Sequence, residues 1–439
     1  MQDEVMMGRG FLCSVLGALA LSTAVAAQPV EVTPLSAPDF FSNGARDTGL
    51  GPNLWTGSSA ATARTVIPMI PAKPLSPAAQ ALARRVLATG AIGPDGAGQD
   101  PELAGARINA LIAQGAVKDA GAILSRTANL ERSPTLAQAG AEAALLAGED
   151  QRACQVAEGL VTGREDIYWL RLRAYCQLLA GQAGPAQLTF DLAQGLERDA
   201  TYGRLMIAKL AGGGDPGAPS ARNGLDYALS RSLGLDLASA KPSPAVAAAL
   251  QQVEPGPPIW IIEGSDPVTT AMAAVAAGDL AGARTQRGGL TAEGASANAL
   301  ALLDALIAAA SGQPDGPTLD RLIERGTVAD AKTRGKMQNA AILFAALGGP
   351  MTPQARGEFA KFAGAEPGKA TVAKGLALDL AGAGKVQGET ALLALWMSAD
   401  AGVAGPPVGD RARIIRALKA AGLEEDARAF AVEGLLAQR

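Results

Sequence analysis

The sequence predicts an all-α fold in which helical hairpins stack in tandem as an α-solenoid. Three observations carry that prediction. Gly-x-x-x-x-Ala turns recur at a spacing of 33 residues, as Gly115/Ala120, Gly148/Ala153 and Gly181/Ala186. Further glycines, Gly278, Gly312, Gly348, Gly382 and Gly422, extend the ladder in steps of 34, 36, 34 and 40. Between the glycines, apolar residues return at helical spacing behind Ser-Pro and Pro helix starts, which leaves no room for a sheet. Each such hairpin buries its apolar face against the next, so the architecture presents surface far more often than an active site.

The first 27 residues predict a secretory signal. An uncharged stretch runs from Gly10 to Ala27, and Val25-x-Ala27 supplies the small residues that signal peptidase needs before Gln28. Asp3 and Glu4 are out of place in a basic leader, and a start at Met6 or Met7 would leave only Arg9 there. Large residues before Cys13 argue against a lipoprotein. The apolar run sits at the lower limit for spanning a bilayer of roughly 30 Å and ends in a cleavable pattern. Farther on, Ala299–Ala310 is interrupted by Asp304, and Ala340–Leu347 is short. Loss of these 27 residues, with two acids and one base, leaves 412 residues at net charge −3. That balance offers no electrostatic footprint for nucleic acid or anionic lipid. The expectation is a periplasmic or secreted chain with no transmembrane segment after cleavage. With 48% hydrophobic but 4% aromatic residues, its core has to be built from Leu, Ala, Val and Ile.

Residues 28–75 predict an extended or disordered arm. Pro29, Pro34, Pro38, Pro52, Pro68, Pro71 and Pro74 fix the backbone and remove donors. Phe40, Phe41 and Trp55 are unusual there. They predict capping of the first helices, with partner recruitment as the alternative. Residues 76–212 predict hairpin repeats. Ser76-Pro77 opens a helix carrying Leu82, Val86 and Leu87, and Pro101 opens the next, with Leu103, Ile108, Leu111 and Ile112 on one face. Gly115 ends that helix before Val117, Ile123 and Leu124. Ser133-Pro134 starts another helix, turned by Gly148. The helix Ile167–Ala180 carries Leu170, Leu178 and Leu179 among Arg171 and Arg173.

The segment Leu170–Ala193 resembles a tetratricopeptide repeat. Ala174 is the small residue of the first helix and Gly181 its end, and Ala186, Phe190 and Ala193 follow on the second helix. Small residues let the helices of a hairpin approach, and the aromatic fills the gap against the next repeat. Gly148, Ala153 and Ala157 repeat part of the pattern, as do Gly115, Ala120 and Leu124. Gln177 stands where the family has a large aromatic, and the period is one short of the family's 34. The resemblance implies an interaction platform whose affinity comes from the first helices, and it points to Tyr168, Arg171 and Tyr175 as partner-binding residues.

Residues 213–267 predict an irregular Pro/Gly-rich connector with a short helix at Asn223–Leu233. Its run Ile259-Trp260-Ile261-Ile262 predicts an extended segment docked on the protein itself, with Trp260 kept as a partner-contact candidate. Residues 268–439 predict a second set of hairpins. Gly278/Ala283 and Gly422/Ala427 keep the turn, whereas Pro317 and Pro353 replace the alanine elsewhere. The last helix, Leu423–Gln438, carries Glu424, Glu425 and Asp426 in its first turn and is expected to cap the stack.

Cys154 and Cys176 remain after cleavage. One falls early on the second helix of a hairpin and the other late on the first helix of the next. Antiparallel packing would pair them, so a structural disulfide is expected in an oxidising compartment. Histidine is missing from all 439 residues, which removes imidazole metal sites, Ser-His-Asp and Cys-His catalysis. Gly364-x-x-x-Gly368-Lys369 is one residue short of a phosphate loop and follows a helix rather than a strand. Glu165-Asp166 reads as helix-cap acids. No cofactor is expected. The function predicted is a non-enzymatic exported scaffold holding another protein or peptide of the cell envelope. A carboxylate-dependent enzyme acting on peptidoglycan or polysaccharide, and a structural spacer, are the alternatives.

Overall fold

Many helix starts are set by short polar side chains that satisfy orphaned backbone amides, although Ser76 ahead of Pro77 makes no such bond. Asp100 accepts from the amides of Glu102 and Leu103 at 3.1 Å, ahead of Pro101, and Ser133 accepts from Leu136 ahead of Pro134. The first-half hairpin turns are uniform. Gly115, Gly148 and Gly181 hold φ of +78°, +83° and +74°, a left-handed conformation that a side chain resists. The residue after each donates to a carbonyl five positions back: Ala116 to Leu111, Glu149 to Ala144, and Gln182 to Gln177, at 2.8–2.9 Å. The same bond closes turns in the second half, from Asp279 to Ala274, Gln313 to Ala308 and Leu423 to Leu418. Five residues past each turn glycine of the first half, Ala120, Ala153 and Ala186 are wholly buried, as the close helix approach demands.

The computed structural model describes residues 39–291, 296–362 and 367–439. The segment expected to be a secretory signal, residues 28–38 and Gly364 lie outside the described residues. Within them are 21 α-helices and no strand. After α1 (Ala60–Val66) and α2 (Pro77–Ala88) come three hairpins: α3/α4 (Pro101–Ala113, Val117–Leu124), α5/α6 (Pro134–Ala147, Asp150–Gly159) and α7/α8 (Ile167–Leu179, Ala183–Leu196). Then follow α9 (Ala200–Leu210), α10 (Gly224–Ser232) and α11 (Pro244–Gln251). The second half pairs α12/α13 (Pro267–Ala276, Leu280–Gly288) and α14/α15 (Ala297–Ala310, Gly316–Val328), and α16 (Ala331–Ala346) and α17 (Pro353–Phe359) both pack on α15. It ends with α18/α19 (Val372–Ala383, Gln387–Ala401) and α20/α21 (Val408–Ala420, Glu424–Leu436). Most neighbours in sequence pack as hairpins, whereas α17 packs on α15 rather than on α16, and the fold class is the all-α one expected.

Four expectations need correction. The arm expected over residues 28–75 folds wherever it is described. Phe41, Leu54 and Trp55 are fully buried, and α1 plus a 3₁₀ turn at Ile67–Ala72 follow. Its backbone is bought into the core by Arg107 of α3, which donates to the carbonyls of Leu87, Thr89, Asn43, Phe40 and Phe41 and lies 5.0 Å over the Phe41 ring. Burial lowers the Arg107 guanidinium to about 10, so it keeps its charge, and the carbonyl dipoles supply what water no longer does. The capping role expected of Phe41 and Trp55 therefore holds.

The turn glycine expected at 382 lies inside α18, where a Cβ would meet the Ala417 Cα at 2.8 Å. Its missing side chain lets α18 and α20 approach. The turn itself falls three residues later, with Lys385 in the left-handed conformation. The connector holds a helix, α11, that its prolines disguised. And α21 is no outer cap: Phe430, Ala431, Val432, Leu435 and Leu436 are buried among α2, α14, α16 and α20.

That last placement brings the N-terminal elements onto the C-terminal ones. Ser59 and Thr62 both donate to the Glu389 carboxylate at 2.8 and 2.7 Å. Arg85 pairs with Asp426 at 2.5 Å, and the amide of Ala78 donates to Glu433 at 2.8 Å. One apolar cluster runs from Phe41 to Leu436, and a second fills the space between α5 and α10.

Candidate functional site

Three of the four predicted partner residues, Tyr168, Arg171 and Tyr175, sit on α7, and the structure engages each of them internally. Tyr175 is fully buried, and its hydroxyl donates to Asp150 at 3.0 Å. Arg231 of α10 donates to the other oxygen of Asp150 at 2.5 Å, so α10 closes over that pair. Tyr168 donates to Glu142 at 3.0 Å, and burial together with that carboxylate pushes its phenol well above the usual range. Arg171 donates to the carbonyl and carboxylate of Glu197 at 3.0 Å and lies 5.5 Å over Tyr202. Tyr168, Arg171 and Tyr175 thus come together on one helix, but as the joints between hairpins and connector. Trp260 is remote from them. Its amide donates to Ala276 and its indole to Glu433 at 3.5 Å, which docks the extended run on α12 and α21. Ile261 next to it is 90% exposed.

The cause is the connector. α10 packs on α5 and α9, and α11 packs on α3 and α5, so the first helices expected to line an open groove are covered by the chain's own segment. Glu142 of α5 is the joint. It accepts from the amide of Gly224 at 2.6 Å and from Tyr168, while burial raises its carboxyl above the ordinary value. Glu142, Asn109, Ile112, Arg222 and Val246 line a cavity of about 400 Å³. Sequence reasoning passed over Glu142 because a lone glutamate inside an alanine-rich helix carries no motif.

Sequence reasoning also missed an exposed apolar stripe. On α8 the buried side chains are Ala186, Phe190 and Ala193, whereas Leu188, Leu192 and Leu196 are 74%, 53% and 63% exposed. They stand at i, i+4 and i+8, one above another on the face turned from the hairpin. Val372, Leu376 and Leu380 repeat that spacing, exposed, on α18. The signal was legible: an amphipathic helix that carries a second apolar stripe has one face more than its hairpin needs.

The chemistry-bearing motifs resolve into structural roles. The amides of Lys369 and Ala370, which follow Gly368, hold the Asp410 carboxylate at 2.7 and 3.0 Å, so the backbone that resembled a phosphate loop carries an internal anion. Asp166 takes the N-cap position of α7, without a side-chain cap bond. Cys154 and Cys176 form the expected disulfide between α6 and α7, with Cα atoms 5.5 Å apart. Among the described residues, no group of three or more Cys, Asp or Glu side chains is placed to hold a metal ion, and no helix is long and apolar enough to cross a membrane. Compared with known protein families, curated proteins and solved structures, the chain finds no match.

Proposed function

We propose that this chain is an exported, non-enzymatic scaffold that holds another protein or peptide of the cell envelope. We further propose that its hairpins are divergent tetratricopeptide-like repeats. The repeated turn bonds, the buried alanines five residues beyond the first-half turn glycines, and Phe190 lying 5.9 Å from Tyr202 across the gap to α9 support the second statement. One observation carries the first: the leucine stripe of α8, left uncovered although the chain's own connector covers the inner helices of the same half. Large contiguous apolar exposure marks interaction sites more often than it is tolerated idly.

The alternative enzyme reading finds its best carboxylate in Glu142, the one carboxylate lining the 400 Å³ cavity. Both of its oxygens already accept hydrogen bonds. A paired-carboxylate mechanism needs a second acid across the substrate, which this cavity lacks; where Asp304 and Asp315 do line one cavity, Asp304 is paired with Arg287 and Arg321 and Asp315 caps α15 through Thr318, so the scaffold is the better reading.

The test is affinity capture from cell membranes with the tagged full chain and with its Leu188→Asp/Leu192→Asp variant. A reproducible envelope protein recovered by the parent and lost by the variant is the expected result. Equal recovery would remove the stripe from the proposal, and no reproducible recovery would remove the scaffold. Amino-terminal sequencing of the processed chain should begin at Gln28.

A further inference from the structure

We propose that α3 and α5 form a groove for a short, uncharged, small-residue helix, and that α11 is its resident but displaceable occupant. The proposal deepens the scaffold reading and rests on it for its biological purpose, although the groove is testable without any partner.

The groove is identified by what sits in it. α11, with the sequence PAVAAALQ, presents Val246 and Ala249 at i and i+3, and these are its two buried side chains. They meet helices whose facing residues include the small or aliphatic Ala106, Ile112 and Leu146, with Asn109 and Glu142 the polar members on those two helices and Glu142 already engaged by Gly224 and Tyr168. The turn glycine of the first hairpin contributes too: a Cβ on Gly115 would meet the Ala248 carbonyl and the Val253 side chain, each at 2.9 Å. Gly181, the equivalent turn of the third hairpin, has nothing within 4 Å. The close approach at Gly115 therefore belongs to the covered part of the stack, not to turn geometry alone.

The occupant is lightly held. Two backbone bonds tie its ends, from Ser243 to the Ala221 carbonyl and from Val253 to the Gly115 carbonyl, both at 3.1 Å. An exposed pair, Lys118–Glu254 at 2.6 Å, adds little. Packing around it is incomplete. The cavity of about 400 Å³ is lined by Ser243, Ala245 and Val246, and another of about 430 Å³ by Gln252 at its other end. Residues 233–243 and 252–259, helical only in the short turn Leu237–Ser239, bracket it. Extended at roughly 3.3 Å per residue, they are long enough for α11 to leave while α10 and Trp260 stay docked.

The cavity beside Val246 also defines the better ligand. A helix with Leu at that position fills space that α11 leaves empty, and one added buried methylene is worth about a fourfold gain in affinity. The groove thus selects an uncharged amphipathic helix with a larger aliphatic side chain at its first anchor and alanine at the second. α11 sets the threshold that such a ligand must exceed.

The experiment uses the whole chain and a fluorescent synthetic peptide spanning Ala240–Glu254. Anisotropy titrations compare the parent protein with its Val246→Asp/Ala249→Asp variant, in which buried charge expels α11. The variant should bind the peptide at least tenfold more tightly than the parent does. A peptide carrying Val246→Leu should bind about fourfold more tightly than the native peptide, and one carrying Ala249→Asp should not bind. Equal peptide affinity for parent and folded variant, or no binding to the folded variant, overturns the proposal. If the variant fails to fold, hydrogen exchange on the parent decides. Amides of α11 exchanging well ahead of those in α3 and α5 support displacement, and equal protection refutes it. Peptide binding without any captured envelope protein would leave the groove standing and sink the scaffold.

Discussion

Glu433 shows how much one side chain decides. Its carboxylate receives Arg411 at 2.6 Å, the amide of Ala78 at 2.8 Å and the Trp260 indole, joining α20, α2 and the connector to α21. Both members of the Arg411–Glu433 pair are almost wholly buried. Removing one partner strands the other charge, so Glu433→Ala should cost about 3–5 kcal/mol in urea unfolding, and Glu433→Gln, which keeps an acceptor for Ala78, should cost less. Glu142 makes a different prediction. Burial raises its carboxyl in the folded state, so its contribution to stability is full below the ordinary value of about 4.3 and is lost as pH rises through the raised one. Thermal melts across this window should fall more steeply with pH for the parent than for Glu142→Gln. Identical slopes would show that Glu142 does not titrate differently on folding. Neither residue was legible in the sequence, because a carboxylate's role here depends on which distant amide or cation it meets.

Elements were far more legible. Gly115, Gly148 and Gly181 mark turns because a left-handed residue with a following amide can close a helix end locally, without help from the rest of the chain. Lys385 in that role was not legible, since lysine carries no such preference, and Gly382 drew attention three residues too early. The pairing of Cys154 with Cys176 followed from antiparallel packing of adjacent helices. With 22 residues separating the pair, replacing Cys154 by Ser should destabilise the chain by about 3 kcal/mol. The parent without reductant should show a two-proton mass deficit, and a parent mass matching free thiols would defeat the bond. α8 was legible as a helix, but its exposed leucines became distinctive once Ala186, Phe190 and Ala193 were seen to do its packing.

Across the molecule, the hairpins do not lie open. α10 and α11 cover the first half's inner helices, and the α20/α21 hairpin packs on α14 and α16, where Lys419 donates to the Leu347 carbonyl at 2.7 Å. Protection should follow this layout. Helices α19 and α21, buried on most faces, should exchange amide hydrogens only on global unfolding, whereas α8, anchored by three buried side chains, should open well before them. Hydrogen-exchange mass spectrometry that found α8 as protected as α21 would contradict that ranking.

Local chemistry was enough to specify helices, their glycine and proline boundaries, the hairpin order and the disulfide, because each depends on residues near one another in the chain. Which hairpin faces stay free is a different kind of property. It depends on Glu433 reaching Ala78, on Arg107 reaching Phe40 and on α11 reaching α3, contacts between residues far apart in sequence that no periodicity encodes. The inner faces of these helices, small and apolar apart from Arg107 and Glu142, accept almost any close apolar neighbour, so packing in three dimensions, not pattern, chose the chain's own segments to cover them.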